Sequence, residues 1–254
     1  MSLHRNFSSS PLVRWLGDLD NPEAAVAGAG DVPRQDFAQK LSQWVGVFES
    51  VTLHAAHQAV GTVAETDAKC VSPDQIATLQ AQCRQVQQTL VRAIEKPEAA
   101  DTGARRGRHP LNQPEPPPDA EVDFAPYRQH YLDQQRSMKL VVGPLRHQVR
   151  QTLAQASPAL RQLATLDAVW EQLLEGHAQK LMATVPVRLQ RRFEQLRKLH
   201  TQPPAQDASL WRQPGGWLHG FGKELQAVLR AELDVRLEPV WGLIDAFSNA
   251  EQQG

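Results

Sequence analysis

The sequence predicts an all-α protein, an elongated antiparallel helical bundle with long kinked helices and disordered linkers. Three observations predict it. Apolar residues between Asp123 and His200 recur every three or four positions: Phe124, Tyr127, Tyr131, Met138, Val142, Leu145, Val149 and Leu153. That spacing lines one face of a helix and cannot line one face of a strand. No run of alternating apolar and polar residues exceeds four, and no Asn-Gly or Asp-Gly turn joins two apolar runs, as hairpins would require.

Each helix is delimited by its own signals. Pro11–Leu19 is short and amphipathic, with Ser10-Pro11 as a capping pair, and residues 20–32 are small and Gly-rich. A helix is expected from about Pro33 to Val60, burying Phe37, Leu41, Trp44, Val45 and Phe48, with a break at Ser50–Leu53. Ser72-Pro73 starts the next helix. Its apolar residues Ile76, Leu79, Cys83, Val86, Leu90 and Ala93 alternate three- and four-residue steps, a heptad seam for a partner helix within or between chains.

Residues 97–122 are rich in Pro, Gly and charge, with no apolar face, and predict a disordered linker. Asp123 is a candidate cap for the helix that follows. Gly143-Pro144 should kink that helix, because proline lacks a donor and crowds the preceding turn. Ser157-Pro158 opens the next helix, with Leu160, Leu163, Leu166, Trp170, Leu173, Leu181, Val185, Leu189, Phe193 and Leu196 inward and a bend at Pro186. A loop over 201–216 precedes the last helix, 217–250, which buries Trp217, Phe221, Leu225, Val228 and Leu229. Beyond a kink at Pro239 it continues with Val240, Leu243, Ile244 and Phe247. The expected organisation is an N-terminal helical region (1–96), a linker (97–122), the long antiparallel helices (123–200), the loop, and the C-terminal helix packed on the bundle.

Composition excludes several function classes. The 254 residues are 41% hydrophobic and 22% charged, ordinary for a globular protein. A net charge of −1 creates no global field that would recruit nucleic acid or an anionic membrane. Residues 136–200 depart from that balance, with 11 Lys/Arg against 4 Asp/Glu. Cys70 and Cys83 lack the company of a disulfide or metal framework, so reduced thiols are expected. No apolar run is long enough to span a membrane, and the first twenty residues lack a signal-peptide core, so the cytoplasm is the expected location.

No catalytic site is legible. Gly28-Ala29-Gly30 lacks the remainder of a phosphate loop, and Gly215-Gly216 reads as a hinge. His54 and His57 share a helical face but have no third ligand at a zinc-site spacing. The chain is therefore expected to be non-enzymatic, without metal or cofactor. A hydrolytic or nuclease effector with its site assembled from distant residues is the further alternative.

The candidate binding face is the basic run Arg188, Arg191, Arg192, Arg197 and Lys198. Arg188 and Arg192 are expected to point away from the core, opposite Leu189, Phe193 and Leu196. Such a stripe suits an acidic protein surface, or nucleic-acid phosphates as the alternative, although no aromatics interleave it. Trp44, Trp170, Trp217 and Trp241 sit on apolar faces and are read as core. Trp211, in the 201–216 loop, has no evident core role and is a candidate partner anchor.

The segment DFAPYRQHYLDQQRSMKLVVGPLRHQVRQTLAQASPALRQLATLDAVWEQLL, with LMATVPVRLQRRFEQLR and GKELQAVLRAELDVRLEPVWGLIDA, resembles an uncharacterised family of mainly proteobacterial proteins. SPLVRWLGDL and FAQKLSQWVGVFESVTLHAA fit the same family. Its members look like accessory components of type III Zorya anti-phage defence systems. The resemblance implies a defence role and, as partners, the proton-driven inner-membrane motor proteins or other system components. It carries no catalytic motif onto this chain. A homo-oligomer through the 76–93 seam is a further possible assembly.

Overall fold

The structure, a computed structural model, describes residues 73–96, 122–201 and 210–252, together with residues 51, 54 and 58. Four helices account for almost all of them: α1 (Pro73–Glu95), α2 (Ala125–Ala156), α3 (Pro158–Thr201) and α4 (Trp217–Gln252). No strand occurs among the described residues, and the fold is all-α. The expected helix over 33–60 (apart from those three residues), the segment 11–19, Trp44, the linker up to residue 121 and residues 202–209 of the 201–216 loop lie outside them.

The helix boundaries follow local chemistry. Ser157 is extended (φ −155°, ψ 161°) and alone separates α2 from α3. Its hydroxyl accepts the Leu160 N–H at 3.2 Å and its carbonyl the Arg161 N–H at 2.9 Å, while Pro158 occupies the first helical position, where no donor is needed. At the start of α2 the capping position falls on Phe124, and the Asp123 carboxylate still accepts the Ala125 N–H at 3.2 Å. Pro144, Pro186 and Pro239 each lie inside a continuous helix. Pro144 leaves the Leu140 carbonyl without its helical donor; that residue is exposed, so water can supply one.

Cross-helix pairs establish direction. Lys139–Glu175, Arg146–Asp167 and Arg150–Asp167 make α2 and α3 antiparallel. His200–Trp217 and Phe193–Phe221 do the same for α3 and α4, and Gln80–Ser248 with Glu95–Arg230 for α1 and α4. Phe124–Phe221 and Tyr131–Glu232 show α2 and α4 running parallel. These two form the middle of the bundle; α1 packs on both, and α3 packs on both.

Burial reflects that placement. Central α4 buries Val228, Leu229, Ala231, Glu232 and Leu233 within six positions, far more than a one-sided stripe. The inward residues expected on α4 and α2 are buried, apart from half-buried Tyr127. The seam on α1 is covered by α2 and α4 within the chain, with Ile76, Leu79, Cys83 and Leu90 buried, Val86 half-buried and Ile94 replacing Ala93. Along α3 one expectation is corrected: Leu181 is exposed and Met182, a further 100° round the helix, packs on the core.

Directly before α4, residues 210–216 form a tight turn. The Trp211 carbonyl accepts the N–H groups of Leu218 and His219 at 3.0 and 3.2 Å, satisfying orphan donors of α4. Gly215 is left-handed (φ 93°). A Cβ on Gly216 would collide with the backbone oxygens of Leu210 and Trp211. Gly216→Ala should therefore destabilise the protein by about 3 kcal/mol in urea unfolding, as expected for a backbone clash, and Gly215→Ala by about 1 kcal/mol through its left-handed conformation.

Burial pushes the Cys83 thiol up to about 11 from 9.0, against a small opposing effect of Arg84. The unfolded chain then ionises first as the solution becomes alkaline. The stabilising contribution is complete below pH 9.0 and disappears as pH rises towards about 11. Between pH 8 and pH 11, the wild type should lose about 2 kcal/mol more than Cys83→Ala in urea titrations, given the ~1.4 kcal/mol per pKa unit of linkage.

Candidate functional site

Two polar constellations are internal. Glu232, fully buried on α4, is surrounded by donors. The Tyr131 hydroxyl donates to Oε2 at 2.8 Å, Gln135 Nε2 to Oε1 at 3.0 Å, and Arg236 Nε and Nη2 to Oε1 at 3.0 and 2.6 Å. Gln135 Nε2 also donates to the Tyr131 oxygen at 2.8 Å. Burial, then the neighbouring Glu232 charge and their hydrogen bond, push the Tyr131 hydroxyl far above its usual range, partly opposed by Arg236. The second constellation ties α2 to α3. Arg146 grips Asp167 through Nε (2.8 Å) and Nη2 (2.5 Å), Arg150 Nε reaches the same carboxylate at 2.8 Å, and both guanidiniums also bond Glu171. Each of these sets pairs its groups with one another, which suits holding helices together.

The expected basic face divides when the helix is seen in its packing. Arg192 is half-buried and turned towards α4. Its guanidinium makes a bidentate pair with Glu224 of α4, Nε–Oε2 at 3.0 Å and Nη2–Oε1 at 2.8 Å. The hydrogen bonds to Glu224 raise its pKa, against a desolvation effect in the other direction. Arg188 and Arg197 are half-buried and each already interacts with a neighbouring group. Only Arg191 and Lys198 of the five are exposed. The reason is angular: Leu189 and Phe193 are the most buried residues here, and Arg188 and Arg192 each stand one position from them, on the flank of the helix.

The face opposite the core is instead marked by Lys180, Thr184, Val187, Arg191, Gln195 and Lys198, all exposed. Val187 is 51% accessible, and Leu181 (36%) and Leu199 (69%) lie beside the same face. Lys180 and Val187 escaped sequence reasoning. Their signal was the 7-4-7 spacing of Lys180, Val187, Arg191 and Lys198, read through the position of the core.

Trp211 has a core role that the sequence did not reveal. It is half-buried, packs on the core, and its ring lies 5.7 Å from that of Trp217. Trp217 in turn stacks on His200 at 6.2 Å and meets Phe193 at 5.4 Å. Trp217 is buried as expected, Trp241 packs half-buried on the core, and Trp170 is half-buried. His54 is exposed and its Nε2 lies 3.3 Å from Gln58 Nε2; His57 is outside the described residues. Among the described residues no three His, Cys, Asp or Glu groups converge as metal ligands, and no helix is long and apolar enough to cross a membrane. The principal surface depressions are shallow. One of about 260 Å³ lies between α1 and α2, floored by Val86, Val141 and Leu145 and rimmed by glutamines.

A family model matches residues 1–249, nearly the whole chain. The chain belongs to the family described as "Protein of unknown function (DUF3348)". No curated protein and no solved structure matches it. Family membership assigns no activity.

The internal network yields a direct test. Glu232→Ala should cost about 3–5 kcal/mol in denaturant unfolding, because Tyr131 and Arg236 lose their common acceptor. Replacing Glu232, Tyr131, Gln135 and Arg236 together by Leu, Phe, Leu and Met should cost less than half as much, since no polar partner of the network is left stranded.

Proposed function

We propose that this protein is a non-enzymatic accessory component of a bacterial anti-phage defence system and acts by docking onto another protein of that system, either the proton-driven inner-membrane motor or a second component. The observation that carries the docking part is the outer face of α3. There Lys180, Arg191 and Lys198 stand exposed beside exposed Val187, Leu181 and Leu199. Cations set among accessible apolar side chains are what a protein-binding surface offers: charge steers the encounter and apolar area holds the complex. The internal polar groups support the same reading, because the carboxylates of Asp167, Glu171 and Glu232 are engaged by arginines. The defence setting comes from the sequence resemblance to Zorya accessory components.

Nucleic-acid binding through 188–198 is the second reading, favoured by the six Lys/Arg against one Glu between residues 176 and 200. On that reading affinity for a DNA duplex would fall steeply with salt through counterion release.

The test is co-purification of the tagged full-length chain with each protein encoded beside it, alongside a duplex shift assay. The docking reading expects capture of one such protein by the wild type and no duplex shift at physiological salt. Failure to capture any of them, or turnover of nucleotide or DNA by the purified chain, would overturn it.

A further inference from the structure

We infer that the outer face of α3 between Lys180 and Lys198 is the seat for an acidic amphipathic helix of the partner protein. The inference rests on the docking reading above and names what docks.

Lys180, Thr184, Val187, Arg191, Gln195 and Lys198 follow steps of four, three, four, four and three, and all six are exposed. Steps of three and four are how one helix presents a seam to another, and the buried seam of α1 uses the same spacing. The stripe spans about five turns, roughly 27 Å at 1.5 Å per residue. On the same rise a single helix of some eighteen to twenty-five residues would cover it.

The side chains along the stripe specify the chemistry of that helix. Val187 sits near the middle with half its surface open, and Leu181 and Leu199 lie beside the stripe near its two ends. Covering them requires an apolar row on the visitor. Lys180, Arg191 and Lys198 require carboxylates in register with that row. Glu194 is the one acidic residue between 176 and 200, so the local field attracts an acidic helix along its length.

The same features disfavour other occupants. A phosphate backbone would satisfy the three cations but leave the Val and Leu side chains against hydrated, charged surface. A second copy of this chain presenting the same face would oppose like charges.

The experiment uses the full-length protein and a fluorescent synthetic helical peptide with leucines at the seam positions of three heptads and glutamates flanking them. A peptide with lysine for every glutamate and a 20-base-pair duplex serve as competing probes. The variants are the triple charge reversal Lys180→Glu, Arg191→Glu, Lys198→Glu, the single change Val187→Asp, and Arg136→Glu on the solvent face of α2 as a neutral site. Circular dichroism establishes that each is folded. The expected result is binding of the acidic peptide, weakened by about thirtyfold or more in the triple variant and about fivefold in Val187→Asp, as for charges and apolar anchors within an interface, and unchanged in Arg136→Glu.

Equal binding of the lysine peptide, undiminished binding by the triple variant, or preference for the duplex would each overturn the inference. The two readings also separate in the co-purification. A system protein captured equally by wild type and triple variant leaves docking intact and removes this seat. A system protein lost only from the triple variant supports both.

Discussion

The carboxylate of Glu232 is the constraint on which the rest of the bundle depends. It is fully buried at the centre of α4, where an unpaired charge would be prohibitively costly. Arg236 reaches it from α4 itself, and only one relative placement of α2 and α4 adds Tyr131 and Gln135 together. Sliding α2 by one turn would bring Gln135 to the place of Tyr131 and lose the tyrosine donor. An apolar seam alone tolerates such slips, because one Leu or Val substitutes for another. The buried charge makes register specific, and α1 and α3 then pack against a central pair already set in place.

The second organising feature is how α2 and α3 share charge. The segment 136–200 contains four acidic residues. Three of them, Asp167, Glu171 and Glu175, are taken by Arg146, Arg150 and Lys139 of α2. The acids of the hairpin are thus consumed by cations of α2. The basic excess of the sequence is left on the far half of α3, where Glu194 is the sole acid between residues 176 and 200. The exposed cations at 180, 191 and 198 are the residue of this pairing, so the same electrostatics that closes the hairpin creates the surface with functional potential.

Aromatic packing secures that end. Phe124 and Tyr127 of α2, Phe193 of α3 and Phe221 of α4 meet with ring centres 5.2 to 6.3 Å apart. Trp217 and Trp211 extend the cluster to the turn that begins α4. Inclined aromatic pairs of this kind fix the separation of helices more sharply than aliphatic contacts do. The outer face of α3 is therefore presented by a helix whose inner face is clamped through Phe193 and the Arg192–Glu224 pair.

Helix content, the Ser157-Pro158 joint and the inward faces of α1, α2 and α4 followed from the sequence alone. These features arise from interactions within a few residues: apolar spacing along one helix, a hydroxyl cap, a proline at a first turn. The candidate site was legible only in part. The basic run was visible, but which of its members face outward depends on where the core lies around the helix, an angle that Leu189 and Phe193 set by meeting α2 and α4. Arg188 and Arg192, expected to face away from the core, lie half-buried on the flank of the helix, and Trp211 was read as spare when its ring and carbonyl are used by α4. Glu232 was passed over because a glutamate within a helix reads as solvated until the partner helix shows its Tyr131. Sequence by itself determined the helices and their local ends, since those depend on neighbours along the chain. Tertiary structure alone decided register, buried charge and the outward stripe, because each depends on a side chain from another helix.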